Sequence, residues 1–228
     1  VAVAVAIMLI LLGIRQTPAV VGFSICAFVV AGILYEWLRG TRSRHRKGES
    51  YYAAFFNLLR GNRPRYGGYV VHLAIIMFSV GVIASSFYSV QRDVALSPGD
   101  TGNIGNYSFK YMGVSHYIHV DREEYVAHFD VFKGESYLGV MQPFRAVYPE
   151  FRISATRGAI RSTPIEDFYI VPSGFNDSDE AVFRVLINPL VWWMWMSGPL
   201  LVLGFLIAMW PQHRSSAVII SGQKVDFE

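Results

Sequence analysis

Tyr66-Gly-Gly-Tyr-Val-Val-His-Leu-Ala-Ile-Ile-Met-Phe-Ser-Val-Gly-Val-Ile-Ala-Ser-Ser-Phe87 is the stretch on which the reading of this 228-residue sequence turns. From Gly67 to Ser89 the chain holds 23 residues without a formal charge, and His72 is the one side chain among them that titrates near neutral pH. A helix rises about 1.5 Å per residue and the hydrocarbon layer is about 30 Å thick, so roughly 20 apolar residues cross it. This stretch is therefore a membrane span. Two more stretches pass the same test, Pro18 to Leu38 and Pro189 to Trp210. Val1 to Gly13 is equally apolar but has only 13 residues and no basic flank ahead of it. It is neither a full span nor a signal peptide. It reads as the tail of a helix, which implies a chain that continues upstream or a protein divided into subunits.

These four stretches hold 79 residues and a single formal charge, Glu36, whereas the other 149 residues carry 36 of the 37 charges. The overall charge of +3 and the single cysteine thus average two populations. A single soluble core, intrinsic disorder and a disulfide-stapled secreted domain are all excluded. Between the second and third spans, Arg39, Arg42, Arg44, Arg46, Lys47, Arg60, Arg63 and Arg65 against Glu49 give a net +7. Such a loop is cytoplasmic, and a basic cluster held between two spans is a topology signal rather than a nucleic-acid site. Residues 90–188 carry a net −4 and fall on the other side. Glu36, three residues before Arg39, reads as half of a structural pair.

The expected organisation is a polytopic α-helical membrane protein with an inserted extracytoplasmic all-β domain. It comprises a truncated helix at 1–13, spans at 18–38, 67–89 and 189–210, a basic cytoplasmic loop at 39–66, the β domain at 90–188 and a cytoplasmic tail at 211–228. Within the basic loop, Tyr51, Tyr52, Phe55, Phe56, Leu58 and Leu59 recur at helical intervals, predicting an interfacial amphipathic helix from Glu49 to Arg60. Trp37 and Trp210 mark inner helix ends, and Trp192, Trp193 and Trp195 cluster at the outer end of the last span as an aromatic belt.

The β reading rests on alternation in Tyr107–Tyr111, Tyr117–Val120, Tyr125–Phe132, Tyr137–Val140, Phe168–Val171 and Ala181–Ile187. Lys133-Gly134 and Pro172-Ser-Gly174 punctuate these runs. A small antiparallel sheet or barrel follows, large enough to bury its own core. His116, His119 and His128 invite a metal hypothesis, but residues three apart on a strand face opposite ways, so hydrogen-bonded or solvated histidines are expected. The sequence offers no Gly-rich phosphate loop, Ser-His-Asp spacing or defensible pair of catalytic carboxylates. Cys26 lies mid-membrane as a lone thiol, which cannot run a dithiol relay.

His72 needs an account, since it lies about 7 or 8 Å inside the span, too deep for a short imidazole to reach water easily. An ionisable residue at that depth is a functional candidate. Either it makes an interhelical hydrogen bond, of about 1 kcal/mol, or it ligates a cofactor such as haem iron. None of the other spans offers a second histidine, so a partner ligand would come from elsewhere. Gly67 and Gly68 permit close approach of a helix or a porphyrin, and Gly81 with Ser85 forms a small-residue packing face.

Asn62-Arg-Pro-Arg-Tyr-Gly-Gly-Tyr-Val-Val-His72 resembles the Asn-Arg-x-Arg-Tyr-Gly-Gly-Tyr-x-x-His stretch of the CcmF family, the haem lyase component of bacterial and plant mitochondrial cytochrome c maturation. Glu36-Trp-Leu-Arg-Gly40, Glu166-Asp-Phe-Tyr169 and Asn188-Pro-Leu-Val-Trp-Trp193 fall in the family's order. The resemblance covers the whole chain but only the C-terminal portion of a typical member. It implies that His72 is a transmembrane axial ligand of a stably bound b-type haem. The second ligand, the Trp-rich haem-handling motif and its two flanking histidines belong to the N-terminal CcmF portion. Trp192, Trp193 and Trp195 lack that motif's Gly-x-Trp-x-Trp-Asp-Pro pattern, and His116, His119 and His128 match none of the family's functional histidines.

By the same resemblance, the reaction is thioether formation between the vinyl groups of haem, here a substrate, and the thiols of an apocytochrome c Cys-x-x-Cys-His site. Implied partners are a CcmE-type haem chaperone, a CcmH-type thiol and apocytochrome handler, apocytochrome c and the lipid bilayer, with no nucleic acid. The implied location is the bacterial inner membrane rather than the mitochondrial one. A contrasting reading makes the chain a non-catalytic membrane anchor that presents its β domain within a cytochrome assembly complex. A transporter fits less well, because no span is discontinuous or charged at its centre.

Overall fold

The computed structural model describes residues 1–175, 180–211, 218–220 and 223–225. Helix α1 (Ala2–Leu11) is short and apolar, and α2 (Thr17–His45) opens with Pro18 in its first turn, where a missing N–H costs nothing. Helix α2 does not stop at Leu38. It continues through Gly40 and the basic residues to His45, because no proline intervenes before Gly48, whose φ is +99°. Helix α3 (Tyr51–Gly61) is capped by Ser50, whose hydroxyl accepts from the Ala53 N–H at 3.3 Å. It lies against α2 through the Trp37–Phe55 edge contact and the Leu58 side chain above Gly40. In the turn before it, hydrogen bonding to Arg44 holds the Glu49 carboxyl below its usual range. Helix α4 (Arg63–Tyr88) carries His72, and α5 (Val191–Met209) follows the β domain. Helices α2, α4 and α5 are each long and apolar enough to cross a membrane.

Among the described residues, ten strands lie between α4 and α5. They are β1 (Val90–Leu96), β2 (Thr101–Ile104), β3 (Tyr107–Ile118), β4 (Glu123–Lys133), β5 (Ser136–Met141), β6 (Phe144–Tyr148), β7 (Ile153–Arg157), β8 (Ala159–Ser162), β9 (Glu166–Phe175) and β10 (Ala181–Pro189). One sheet has the order β1-β10-β9-β8, and the other has β2-β3-β4-β6-β7 with β5 also on β4, all antiparallel. Their inner faces close on each other as a sandwich. Phe168, Ile170, Phe183 and Val185 from one sheet meet Phe109, Tyr111, Phe129 and Val131 from the other. Tyr107 stacks on Phe168 at 4.4 Å, and Phe129 meets Phe183 edge-on at 4.7 Å.

Two strands run farther than the alternating runs of the sequence predict. Strand β3 runs through Gly113, which adopts φ +111° at a bulge, and so joins two predicted runs into one. Strand β9 runs through Pro172, which pairs with Phe183 beside the register shift in β10, a place where a missing N–H is tolerated. Lys133-Gly134 does turn the chain, with Gly134 at φ +57°.

Because β1 pairs with β10 from Val90↔Ile187 onward, the exit of α4 and the entry of α5 are held side by side. Those two helices form the most extensive helix contact in the molecule. A Cβ on Gly67 would collide with the Ala208 backbone, and one on Gly204 would lie 2.7 Å from the Val71 nitrogen. Gly81 fits under Met194 in the same way. The pair therefore depends on missing side chains, the usual device where lipid offers no hydrophobic drive for helix association. In the C-terminal tail, β11 (Val218–Ile220) and β12 (Gln223–Val225) pair antiparallel, and the rest of the tail from residue 212 onward lies outside the described residues.

Candidate functional site

The motif that ends at His72 divides between two faces of α4. Asn62 caps the helix, accepting from the Arg65 N–H at 3.4 Å, and Pro64 sits in the first turn. Tyr66 and Gly67 are buried, with Gly67 against α5 and the Tyr66 hydroxyl close to Gly40 of α2. Arg65, Gly68, Tyr69 and His72 share the opposite face by their three- and four-residue spacing. His72 is exposed there, with Ile75 and Phe78 nearby on the helix at 50% and 48% exposure.

His72 Nδ1 lies 2.8 Å from the Gly68 carbonyl oxygen. A carbonyl can only accept, so Nδ1 is the donor, and in the neutral ring Nε2 carries the free lone pair. This arrangement fixes both tautomer and ring orientation, as the second nitrogen of a metal-ligating imidazole requires. Nothing lies within 4 Å of where a Gly68 Cβ would stand, so the helix surface beside the imidazole is open. Farther along the same helix, the Ser79 hydroxyl is occupied by the Ile75 carbonyl at 2.9 Å. A neutral nitrogen donor on an uncovered apolar helix face suits the edge of a haem pocket.

One to two turns before His72, Arg65 donates to Glu36 of α2 at 2.7 Å and to the Tyr69 hydroxyl at 2.9 Å. The charge of Glu36 is therefore met by Arg65 of α4 and not by Arg39 of its own helix. Spacing within α2 suggests a local i,i+3 pair, but the packing of α2 beside α4 supplies the contact instead. Arg65, standing within the motif, is the residue that could signal it.

Gly67 and Gly81 serve helix packing, as their sequence context suggests, while Ser85 approaches Met194 sulfur at 4.0 Å. Trp193 donates its indole N–H to the Pro164 carbonyl at 2.8 Å, tying α5 to the β8–β9 turn, whereas Trp195 stands 75% exposed. Leu190, in the same motif, adopts φ +56° as the strand becomes a helix, and its N–H bonds to the Ile165 carbonyl. Glu166-Asp-Phe-Tyr169 is likewise architectural. Glu166 accepts from Tyr107 at 3.0 Å and Lys133 at 2.6 Å, joining β3, β4 and β9. That contact holds the Lys133 ammonium above its usual range, and burial followed by Glu166 raises the Tyr107 hydroxyl. Asp167 is 2% exposed and accepts from the Tyr169 hydroxyl at 3.2 Å.

The three histidines of the sandwich remain apart. His116 stacks on Tyr125 at 4.4 Å and reaches Glu123 at 3.2 Å, His119 lies 3.4 Å from Glu124, and His128 sits between Ser115 and Gln142. Among the described residues, no group of three or more His, Cys, Asp or Glu could hold a metal ion.

Parts of this chain are similar to known proteins. Residues 87–189 match the family described as CcmF C-terminal beta-sandwich. The chain is 26% identical over 205 residues to the cytochrome c-type biogenesis protein CcmF of Haemophilus influenzae, covering 89% of this chain and 30% of that protein. It is 28% identical over 146 residues to the CcmF of Pseudomonas aeruginosa, covering 64% and 22%. The probable cytochrome c-type biogenesis protein NrfE of Escherichia coli is 25% identical over 150 residues, covering 66% and 27%. The chain thus spans less than a third of the length of these relatives. A solved structure of the cytochrome c haem lyase CcmF shares the fold, with a TM-score of 0.57 at 19% identity, covering 85% of this chain and 39% of that one. With its β-sandwich set between helices long and apolar enough to cross a membrane, this chain is similar to the C-terminal portion of CcmF proteins, and its residues 87–189 match that family's C-terminal β-sandwich.

Proposed function

We propose that this chain works in the covalent attachment of haem to apocytochrome c, with His72 as one axial ligand of a bound b-type haem. The observation that carries this reading is the His72 imidazole, its Nδ1–H held by the Gly68 carbonyl and its Nε2 open on an uncovered face. When bound, such a haem supplies one-electron chemistry, suited to reducing the iron of an incoming haem. The residues of this chain hold the ligand still and keep its surroundings apolar. Gly67 and Gly204 bring α5 against the back of α4, Gly68 fixes the ring, and Glu36 neutralises Arg65 on the same face. The second ligand and the site of thioether formation belong to the N-terminal CcmF portion in this reading, and the CcmE-type and CcmH-type partners deliver haem and apocytochrome c. The sandwich lies on the periplasmic side, as the net +7 of the loop opposite to it favours.

The test is His72→Ala in the complete assembly. Loss of the b-haem absorbance is expected, and a full complement of unchanged haem bands would end the ligand assignment. The anchor reading has its own support in the α4–sandwich–α5 unit, where strand pairing begins at Val90 and ends at Pro189, directly beside the helices. Normal cytochrome c maturation by the His72→Ala assembly would favour it.

A further inference from the structure

At the end of the helices remote from the sandwich, and on a different face of α4 from His72, lies a recess of about 520 Å³. Its apolar wall comes from Leu203, Leu206 and Ile207 of α5 and from Trp210, which caps that helix. That stripe flanks Gly204 and Ala208, the positions that meet α4. Leu59, Arg60 and Arg63 complete the lining from the α3–α4 side. The α3–α4 turn puts them there, since Asn62 ends one helix and caps the next. Arg63 is oriented by a 2.8 Å hydrogen bond from Nη1 to the Pro211 carbonyl.

The charges of Arg60 and Arg63 are not balanced by the acidic residues of the helical region. Residues 1–89 contain two acidic side chains, Glu36 and Glu49, and these are engaged by Arg65 at 2.7 Å and Arg44 at 3.0 Å. Arg60 and Arg63 have no carboxylate partner among the described residues. The complementary ligand has a hydrocarbon body and an anionic end, and the recess volume falls in the ordinary range of small-ligand sites, about 300–1,000 Å³. Guanidinium groups match phosphate oxygens in geometry as well as charge. Basic pockets between membrane helices on the cytoplasmic side bind anionic headgroups for this reason. We propose that this recess is a binding site for an anionic phospholipid, with one acyl chain along Leu203, Leu206 and Trp210 and the phosphate on Arg60 and Arg63.

The experiment uses the chain extracted from its membrane with whatever copurifies, exchanged into nanodiscs containing phosphatidylglycerol or phosphatidylcholine. Native mass spectrometry is expected to show phosphatidylglycerol retained through delipidation and phosphatidylcholine lost. In the Arg60→Gln/Arg63→Gln variant retention falls about tenfold, and Arg60→Lys/Arg63→Lys keeps part of it. Leu206→Trp fills the recess with both charges in place and also evicts the lipid, which separates occupancy from general charge loss. A photoreactive residue at Leu206 should form adducts enriched in phosphatidylglycerol relative to one at lipid-facing Phe205. Equal retention of the two lipids, retention unaffected by the Gln variant, or protein adducts at Leu206 showing another polypeptide in the recess would each overturn the proposal.

Discussion

The sandwich and the helices solve opposite problems. In the sandwich, Phe109, Phe129, Phe168 and Phe183 are fully enclosed, and each histidine on its surface has a neighbour from the same domain. Polar side chains there bridge strands, as Glu166 does between Tyr107 and Lys133. In the helices, large residues such as Ile75, Phe78, Leu203 and Leu206 face outward, and burial is concentrated at small residues such as Gly67, Ala74, Gly81, Ala84, Ser197 and Gly204. Water drives the first region to close on itself, whereas lipid leaves the second with open faces. The chemistry follows this division. The self-contained domain holds its polar groups in structural roles, and the open face of α4 presents a nitrogen with a free lone pair.

The comparison can be broken most severely at the sandwich core. Phe129→Ala removes a ring that touches Phe109, Tyr111 and Phe183, and is expected to destabilise the sandwich by about 3–5 kcal/mol. A thermal melt in detergent followed in the β-sheet circular dichroism band measures it, with the helical signal little moved. Gly204→Val does the reverse. Its side chain enters the space of Val71 and the Gly67 carbonyl, costing about 1–3 kcal/mol of α4–α5 association while leaving the sandwich intact. Crosslinking between α4 and α5 would report the separation.

A smaller effect sharpens the picture at the sandwich edge, where Arg184 of β10 donates to Asp93 of β1 at 2.8 Å. Hydrogen bonding to that guanidinium holds the Asp93 carboxyl below its ordinary value of 3.8. A depressed folded value means that the pair's contribution is fully present above the ordinary value and is lost as pH falls through the lower folded one. Asp93→Asn is therefore expected to flatten the acid limb of the stability profile below about pH 4, with the two proteins converging at its acid end. Because the pair is half exposed, the change is small. Unchanged acid sensitivity in the variant would remove this pair from the account.

Much of this division is legible in the order of the residues alone. Uncharged runs of the right length mark α2, α4 and α5, and alternation in Tyr125–Phe132 and Ala181–Ile187 marks the core strands β4 and β10. Strands whose burial does not alternate are harder to see. Ile153–Arg157 is exposed at every position on a sheet edge, so no hydrophobic pattern identifies β7. His72 stands out because a titratable side chain in an apolar run has few explanations. Its hydrogen bond to Gly68 and the Glu36–Arg65 contact depend on backbone placement and helix adjacency, which spacing in one segment does not encode.

The central claim is that the open Nε2 of His72 coordinates haem iron, and changing the ligand rather than deleting it tests this most directly. With His72→Met in the complete assembly, the account predicts that haem is retained in part with a shifted absorption spectrum and a raised reduction potential, as a thioether replaces an imidazole. A spectrum and potential identical to those of the unaltered protein, at full haem occupancy, would contradict it.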